Sequence, residues 1–202
     1  MFILTKIADL VEITPEDFSK DAAQAIEDNI NAKYANKVIQ KIGLCICLYD
    51  LLSASDGLIG HGKGVVNVNV EFRLIVFRPF KHEVMLGRIS SSTTTEIRIR
   101  THFFDSIVVP MKMLPEGSYF DHKEQVMIWM SEGTPLYFDN HETVRFRIEK
   151  EHWFDQSPVG PSEKEDGLVV KQSPYVIEAS MEDPGLGPVL WWDGGDEEQY
   201  DQ

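Results

Sequence analysis

GVVNVNVEFRLIVFRPFKHEVMLG, residues 64–87, is the stretch from which the rest of the chain can be read. Between Val66 and Val76 every second residue is apolar (Val66, Val68, Val70, Phe72, Leu74, Val76), and Asn67, Asn69, Glu71 and Arg73 stand among them. Side chains of an extended strand alternate between faces, so this pattern predicts one strand with one buried face. The alternation stops at Arg78-Pro79-Phe80, where Pro79 has no amide proton to give a ladder. A second strand-like run, residues 83–89, begins almost at once. The expectation is a strand that closes one domain and passes directly into another. A continuous β-ribbon would then weld the two into a semi-rigid rod.

Toward the N-terminus, residues 38–52 contain GLCICLYDLL, a buried strand, and SASDGLIGHGKG over residues 53–64 reads as a glycine-rich loop. Residues 2–13, FILTKIADLVEI, form a first strand whose imperfect alternation leaves room for a bulge. Thr14-Pro15-Glu16-Asp17 is a helix start: Thr14 caps, Pro15 fits the first helical position, and the two acids favour the positive end of the dipole. Phe18, Ala22, Ala25, Ile26, Ile30 and Tyr34 then recur at helical spacing, with fraying expected near Ala35 and Asn36. Residues 1–80 thus read as an α+β domain, a small sheet with one main helix on its face.

Toward the C-terminus the pattern is all β. Strands are expected over residues 84–89, 97–100, 107–110, 125–130, 142–149, 175–179 and 189–192, with polar turns such as 90–95 between them. Short strands of this kind build a small barrel or sandwich, here residues 81–192. Residues 155–173 are rich in Pro, Gly, Ser and charge and read as a mobile insertion. Residues 193–202 read as a disordered acidic tail. Trp191 and Trp192, taken as strand neighbours, would point to opposite sides, one into the core and one toward a partner or junction.

Composition narrows the function classes. A hydrophobic content of 43% is enough for a core. The net charge of -14 argues against strong non-specific binding to duplex nucleic acid but leaves room for a local basic groove. The last ten residues hold acids and no base. Two cysteines, Cys45 and Cys47, would share a strand face and could not pair with each other there. That usage points to an intracellular chain. With no apolar run of membrane-spanning length and no charged-then-apolar opening, a soluble protein without a signal peptide is expected.

Candidate sites were weighed against plainer readings. Residues 57–63 fit G-x-x-x-x-G-K, but Gly64 stands where the magnesium-ligating Ser or Thr belongs, and a strand follows where a phosphate loop needs a helix. A hairpin tip without nucleotide hydrolysis is the preferred reading. Cys45 and Cys47 lack a second ligand pair at zinc spacing and read as core thiols. The six histidines read as solvated loop residues. No Ser-His-Asp or Cys-His pattern stands out, so neither a catalytic residue, a metal nor a cofactor is expected. Arg98 and Arg100 project from one strand face while Ile97 and Ile99 turn inward, with Phe103-Phe104 just beyond; Arg145 and Arg147 repeat the arrangement around Phe146 and Ile148. Guanidinium groups beside exposed aromatics track a phosphate backbone and stack on bases. The plain alternative is a solvated strand face paired with acids.

Five strings, MFILTKIADLVEITPEDF, ANKVIQKIGLCICLYDLL, VNVEFRLIVFRPFKHEVMLGRI, FFDSIVVP and EASMEDPGLGPVLWW, occur in an order that resembles the larger stalk subunit of archaeal and eukaryotic nuclear RNA polymerases, nearest to the RNA polymerase III form. The resemblance runs from Met1 to Trp192 and leaves out the insertion and the tail. It implies an amino-terminal sheet-plus-helix domain, a carboxy-terminal S1-like OB barrel, a nuclear location and no catalysis. It also implies a heterodimer with a smaller stalk subunit that docks on the polymerase core, supports initiation and contacts nascent single-stranded RNA. Carried onto this chain, Thr14, Pro15 and Phe18 with Asp56, Gly57, Ile59, His61 and Lys63 would form the core-docking tip. Arg98, Arg100, Phe103, Phe104, Arg145 and Arg147 would face RNA. The chain departs from the family's pattern at Thr94-Thr95-Glu96 and at His102, where glycines are usual. The alternatives are the stalk of polymerase I or II and a stand-alone S1-type RNA-binding protein.

Overall fold

The computed structural model describes residues 1–60, 62, 64–156 and 173–192. His61, Lys63, most of the expected insertion and the acidic tail lie outside the described residues. The chain divides into two compact units, Met1–Pro79 and Phe80–Gln202.

In the first unit, β1 (Phe2–Ile13), β2 (Val38–Ile39), β3 (Gly43–Ala54), β4 (Leu58–Ile59) and β5 (Val66–Phe77) make one antiparallel sheet in the order β1-β5-β3-β2, with β4 also on β5. The alternating strand of the opening stretch is its spine. β5 pairs with β1 in unbroken register from Phe2↔Phe77 to Ile13↔Val66, and with β3 along its other edge. Its buried set, Val68, Val70, Phe72, Leu74 and Val76, meets Ala25, Ile26 and Ile30 of the helix α1 (Ala22–Tyr34). A row of β-branched and aromatic residues against a helix stripe is the layer packing that one apolar sheet face demands. Asp9 of β1 accepts hydrogen bonds from Tyr34 Oη (2.6 Å) and Lys33 Nζ, tying the helix end to the sheet.

The helix starts later than its sequence signals predict. Pro15–Ser19 forms a separate 3-10 turn, and Lys20 is extended. α1 is capped instead by Asp21, whose carboxylate accepts the amide of Ala23 at 3.1 Å, while Thr14 makes no side-chain cap. The bulges lie in β3 rather than β1. Register shifts at Cys45/Cys47, Leu48/Asp50 and Leu51/Ser53 set Cys45 opposite Val76 but Cys47 opposite Ile75. The two cysteines therefore face opposite sides of the sheet, because each extra residue of a bulge inverts the alternation that follows. Cys45 is in the core, where burial pushes its thiol up to about 11.

In the second unit, β6 (Val84–Ser92), β7 (Glu96–Arg100), β8 (Ile107–Pro110), β12 (Thr143–Trp153) and β13 (Tyr175–Ser180) close on themselves: β6 pairs β7, β7 pairs β8, β8 runs parallel to β13, β13 pairs β12, and β12 returns to β6. This is the five-stranded Greek-key closure of an OB barrel. Met85, Ile89, Ile97, Ile99, Ile107, Phe146, Ile148, Tyr175 and Ile177 fill it. Between β8 and β12 a three-stranded meander is inserted: β9 (Ser118–Asp121), β10 (Val126–Ser131) and β11 (Thr134–Phe138). β14 (Gly187–Pro188) adds to the free edge of β12.

Two expectations are corrected here. No ladder joins β5 to β6: they belong to different sheets, so the expected continuous ribbon is interrupted between Phe77 and Val84. Pro79 ends the first ladder, and a turn closed by Glu83 N to Phe80 O at 3.1 Å separates it from the next. The Val189–Trp191 segment is a 3-10 turn rather than a strand. Trp191 packs on Phe138 and Trp129, whereas Trp192 is partly exposed and its Nε1 donates to Leu186 O at 2.9 Å. β9 and β11, short and mixed in polarity, had no sequence signal strong enough to place them.

Gly43 opens β3 with φ +143, and a methyl there would lie 2.5 Å from the carbonyl oxygen of Phe77. Gly43→Ala is expected to destabilise the chain by about 1–3 kcal/mol, from backbone strain alone. Thermal denaturation of the two forms checks this, and an unchanged midpoint would contradict it.

Candidate docking and nucleic-acid interfaces

Of the residues expected to form a tip, His61 and Lys63 lie outside the described residues, and the ends of β1 and β4 meet at one end of the first unit. Ile13 pairs with Val66, and Val66 pairs with Ile59, so one rung carries the end of β1 beside the β4 hairpin. Thr14 and Pro15 follow directly from that rung, and the Thr14 carbonyl accepts the amide of Asp17 at 3.0 Å. Phe18 is 52% exposed, Leu58 66% and Ile59 78%. Asp56 and Gly57 lie in the short connection from β3 to β4. Leu58 was not singled out from the sequence; both residues of its two-residue strand are exposed. Large apolar side chains clustered at an exposed sheet end are the marks of a contact surface.

On the barrel the six proposed RNA-facing residues separate. Phe104 is buried and packs its ring 5.5 Å from that of Tyr175, which leaves it no face for a base. Phe103 remains exposed. Arg98 Nε donates to Glu96 Oε1 at 2.9 Å. Arg147 donates to Glu149 Oε1 at 2.7 Å and to Asp183. Those two arginines follow the plain alternative, a strand face neutralised by its own acids. Arg145 lies half-buried, opposite Leu86 on one side and Gly187 on the other. Arg100 is the exception: its direct cross-strand neighbour is another arginine, Arg88.

Two clefts mark the outside of the barrel. One, of ≈ 730 Å³, has Glu96, Asp105 and Glu178 among its walls, with Arg98, His152 and Phe154. The other, of ≈ 470 Å³, is walled by Arg88, Arg100, Thr101, His102 and Thr143, with Leu86 and Gly87. Arg88 and His102 were not among the sequence candidates; only the pairing of β6 with β7 sets Arg88 across from Arg100. Gly87, inward-facing between them, is required by close packing: a methyl there would lie 2.7 Å from Ile99 Cγ2.

His152 also departs from expectation. It sits on β12, not in a loop, with Nε2 2.8 Å from Glu178 Oε2. Lys112 Nζ stands 3.4 Å from the other oxygen, Oε1, an ion pair rather than a full hydrogen bond. Burial raises the Glu178 carboxyl, but the hydrogen bond with His152 and the ion pair with Lys112 outweigh it and hold the group below its ordinary value.

A sheet-and-helix unit followed by an OB barrel is the two-part arrangement that the resemblance to polymerase stalk subunits implies. The sequence of the first unit fits it: residues 8–64 match the description "SHS2 domain found in N terminus of Rpb7p/Rpc25p/MJ0397". Residues 83–192, more than half the chain, match the description "RNA polymerase III subunit Rpc25". The chain is 42% identical to DNA-directed RNA polymerase III subunit rpc8 of Schizosaccharomyces pombe, over 95% of this chain and 100% of that one. To the RPC8 subunit of Saccharomyces cerevisiae it is 41% identical, over 96% and 100%. Subunit Rpo7 of the Sulfolobus acidocaldarius RNA polymerase is a more distant relative, 25% identical over 63% and 70%. The chain belongs to the RNA polymerase III subunit Rpc25 family.

The Glu178 network yields a pH-dependence. Because its folded pKa is depressed, the stabilisation it gives is present in full above the unfolded value of 4.5 and is lost as pH falls through the folded value. Glu178→Gln should melt below the parent chain at neutral pH, and the gap should close under acid. Thermal melts across that pH range check it; a gap of constant size would show that charge at Glu178 is not what stabilises.

Proposed function

We infer that the chain is a stalk subunit of RNA polymerase III, acting in the nucleus through docking and surface contact rather than through chemistry of its own. The observation that carries this is identity of about 40% to polymerase III subunits over nearly the full length of both chains. An accessory role accords with that kinship. The docking tip is Thr14, Pro15 and Phe18 with Asp56, Gly57, Ile59, His61 and Lys63; its support is the shared rung and the exposed Phe18, Leu58 and Ile59. A smaller stalk protein as heterodimer partner, and nascent single-stranded RNA as a ligand of the barrel, complete the reading. The archaeal kinship favours the stalk role. The net charge of -14 disfavours a stand-alone RNA-binding protein.

Tagged chain expressed in a eukaryotic cell should recover the large subunits of RNA polymerase III, identified by mass spectrometry. Phe18→Asp combined with Ile59→Asp should cut that recovery sharply while moving the melting temperature by no more than ~2 °C, as surface substitutions do. Recovery of polymerase I or II subunits instead would assign the chain to another stalk. Undiminished recovery by the double variant would remove the tip.

A further inference from the structure

Arg100, Arg88 and Thr143 form a single rung across β7, β6 and β12 on the outside of the barrel: Arg88 pairs with Arg100 on one side and with Thr143 on the other. All three line the ≈ 470 Å³ cleft, and Thr101 and His102 continue its wall. Like charges directly opposite in a sheet repel and cost stability. Three other strand arginines are neutralised by acids: Arg73 by Asp50, Arg98 by Glu96, and Arg147 by Glu149 and Asp183. Among the described residues neither the Arg88 nor the Arg100 side chain makes a hydrogen bond or an ion pair. In a chain with 33 acids against 19 bases, the two arginines set face to face are left without an acid, and the cleft they line has no carboxylate among its wall residues.

We propose that this cleft is a phosphodiester-binding site for single-stranded RNA, with Arg88 and Arg100 as the paired guanidinium forks. A guanidinium donates two parallel hydrogen bonds to the oxygens of one phosphate, and a phosphate between two arginines removes their mutual repulsion. Thr143 supplies a neutral hydroxyl, and exposed Phe103, next after His102, is near enough in sequence to offer a base a stacking face. The neighbouring cleft, with Glu96, Asp105 and Glu178 in its walls, repels the same ligand. The charge pattern thus selects one side of the barrel for the backbone. The site rests on the RNA-contact reading above and deepens it, replacing Arg98, Arg147 and Phe104 with Arg88 and His102.

The test titrates the full chain with a short fluorescent oligouridylate across a salt series. The comparison proteins are Arg88→Gln/Arg100→Gln and a control of equal charge change outside the cleft, Lys81→Gln/Lys123→Gln. The arginine variant should bind about ten-fold more weakly or worse and lose about 0.7 from the salt slope, the one phosphate the pair clamps; the control should lose much less. A second readout separates binding from folding. Arg88→Gln alone should leave the melting temperature at low salt unchanged or raise it by up to about 2 °C, because it relieves repulsion. If parent and arginine variant bind RNA equally, the cleft is not the phosphate site although RNA contact stands. If the parent chain binds no RNA, the RNA reading falls and the site with it. If polyglutamate displaces the RNA at equal charge, the cleft reads carboxylates of a protein partner, and the proposal is overturned. A fall in the melting temperature of Arg88→Gln would also overturn it, since the arginine would then be holding the fold.

Discussion

β12 is bonded along both edges, and the second unit depends on it. One edge meets β6, the other meets β13 and then β14. Without the first pairing the five strands would be an open sheet with two exposed edges; with it the barrel has none. The strand manages both partners by a register shift between Ile148 and Lys150. The extra residue bends the strand and raises its local twist, as closure of a small barrel requires. It also changes which side chains face out. Arg145 and Arg147 precede the shift, while His152 follows it and comes to lie against Glu178.

The first unit solves a different problem with the same device. β5 presents one regular apolar row, and β1 follows it without a slip over twelve residues. β3, also twelve residues long, spans only the stretch of β5 from Val70 to Phe77. Three bulges take up the difference. They turn the inward set of β3 into a near three-residue repeat, Cys45, Leu48 and Leu51, all packed with the helix-side core. Local twist wraps this edge around α1, and Cys47 is carried to the far side.

Charge is arranged as deliberately as packing. Asp50 holds Arg73 in a two-pronged contact on the first sheet, with Tyr49 beneath the guanidinium 5.2 Å from its ring centre. Glu96 holds Arg98, and Glu149 with Asp183 holds Arg147. Exposed ion pairs of this kind add little stability. Their consequence is for the surface potential: those at Arg98 and Arg147 cancel two of the four arginines that the sequence offers to RNA. Among the described residues Arg88 and Arg100, on one rung of the barrel, have no such pairing.

Much of the architecture was legible in the chain as written. Alternation from Val66 to Val76 gives a half-buried strand because side-chain direction in extended backbone is a local property. The spacing of Ala22, Ala25, Ile26, Ile30 and Tyr34 gives a helix for the same reason. The family strings carried the class of protein. The candidate site was less legible. That Phe103 faces out and Phe104 in could not be read from a two-residue aromatic pair, since the turn at Thr101, closed by Thr101 N to Phe104 O at 2.7 Å, sets their directions. The start of α1 at Ala22 was hidden because Thr14-Pro15 satisfies the rules for a helix start yet spends them on a 3-10 turn. Sequence by itself determined the kinds of element, the buried face of each regular strand and the family. Tertiary structure decided where the bulges fall, which arginine meets an acid and that Arg88 meets Arg100. Those depend on register between strands distant in the chain, and register is set by partners that no local pattern contains.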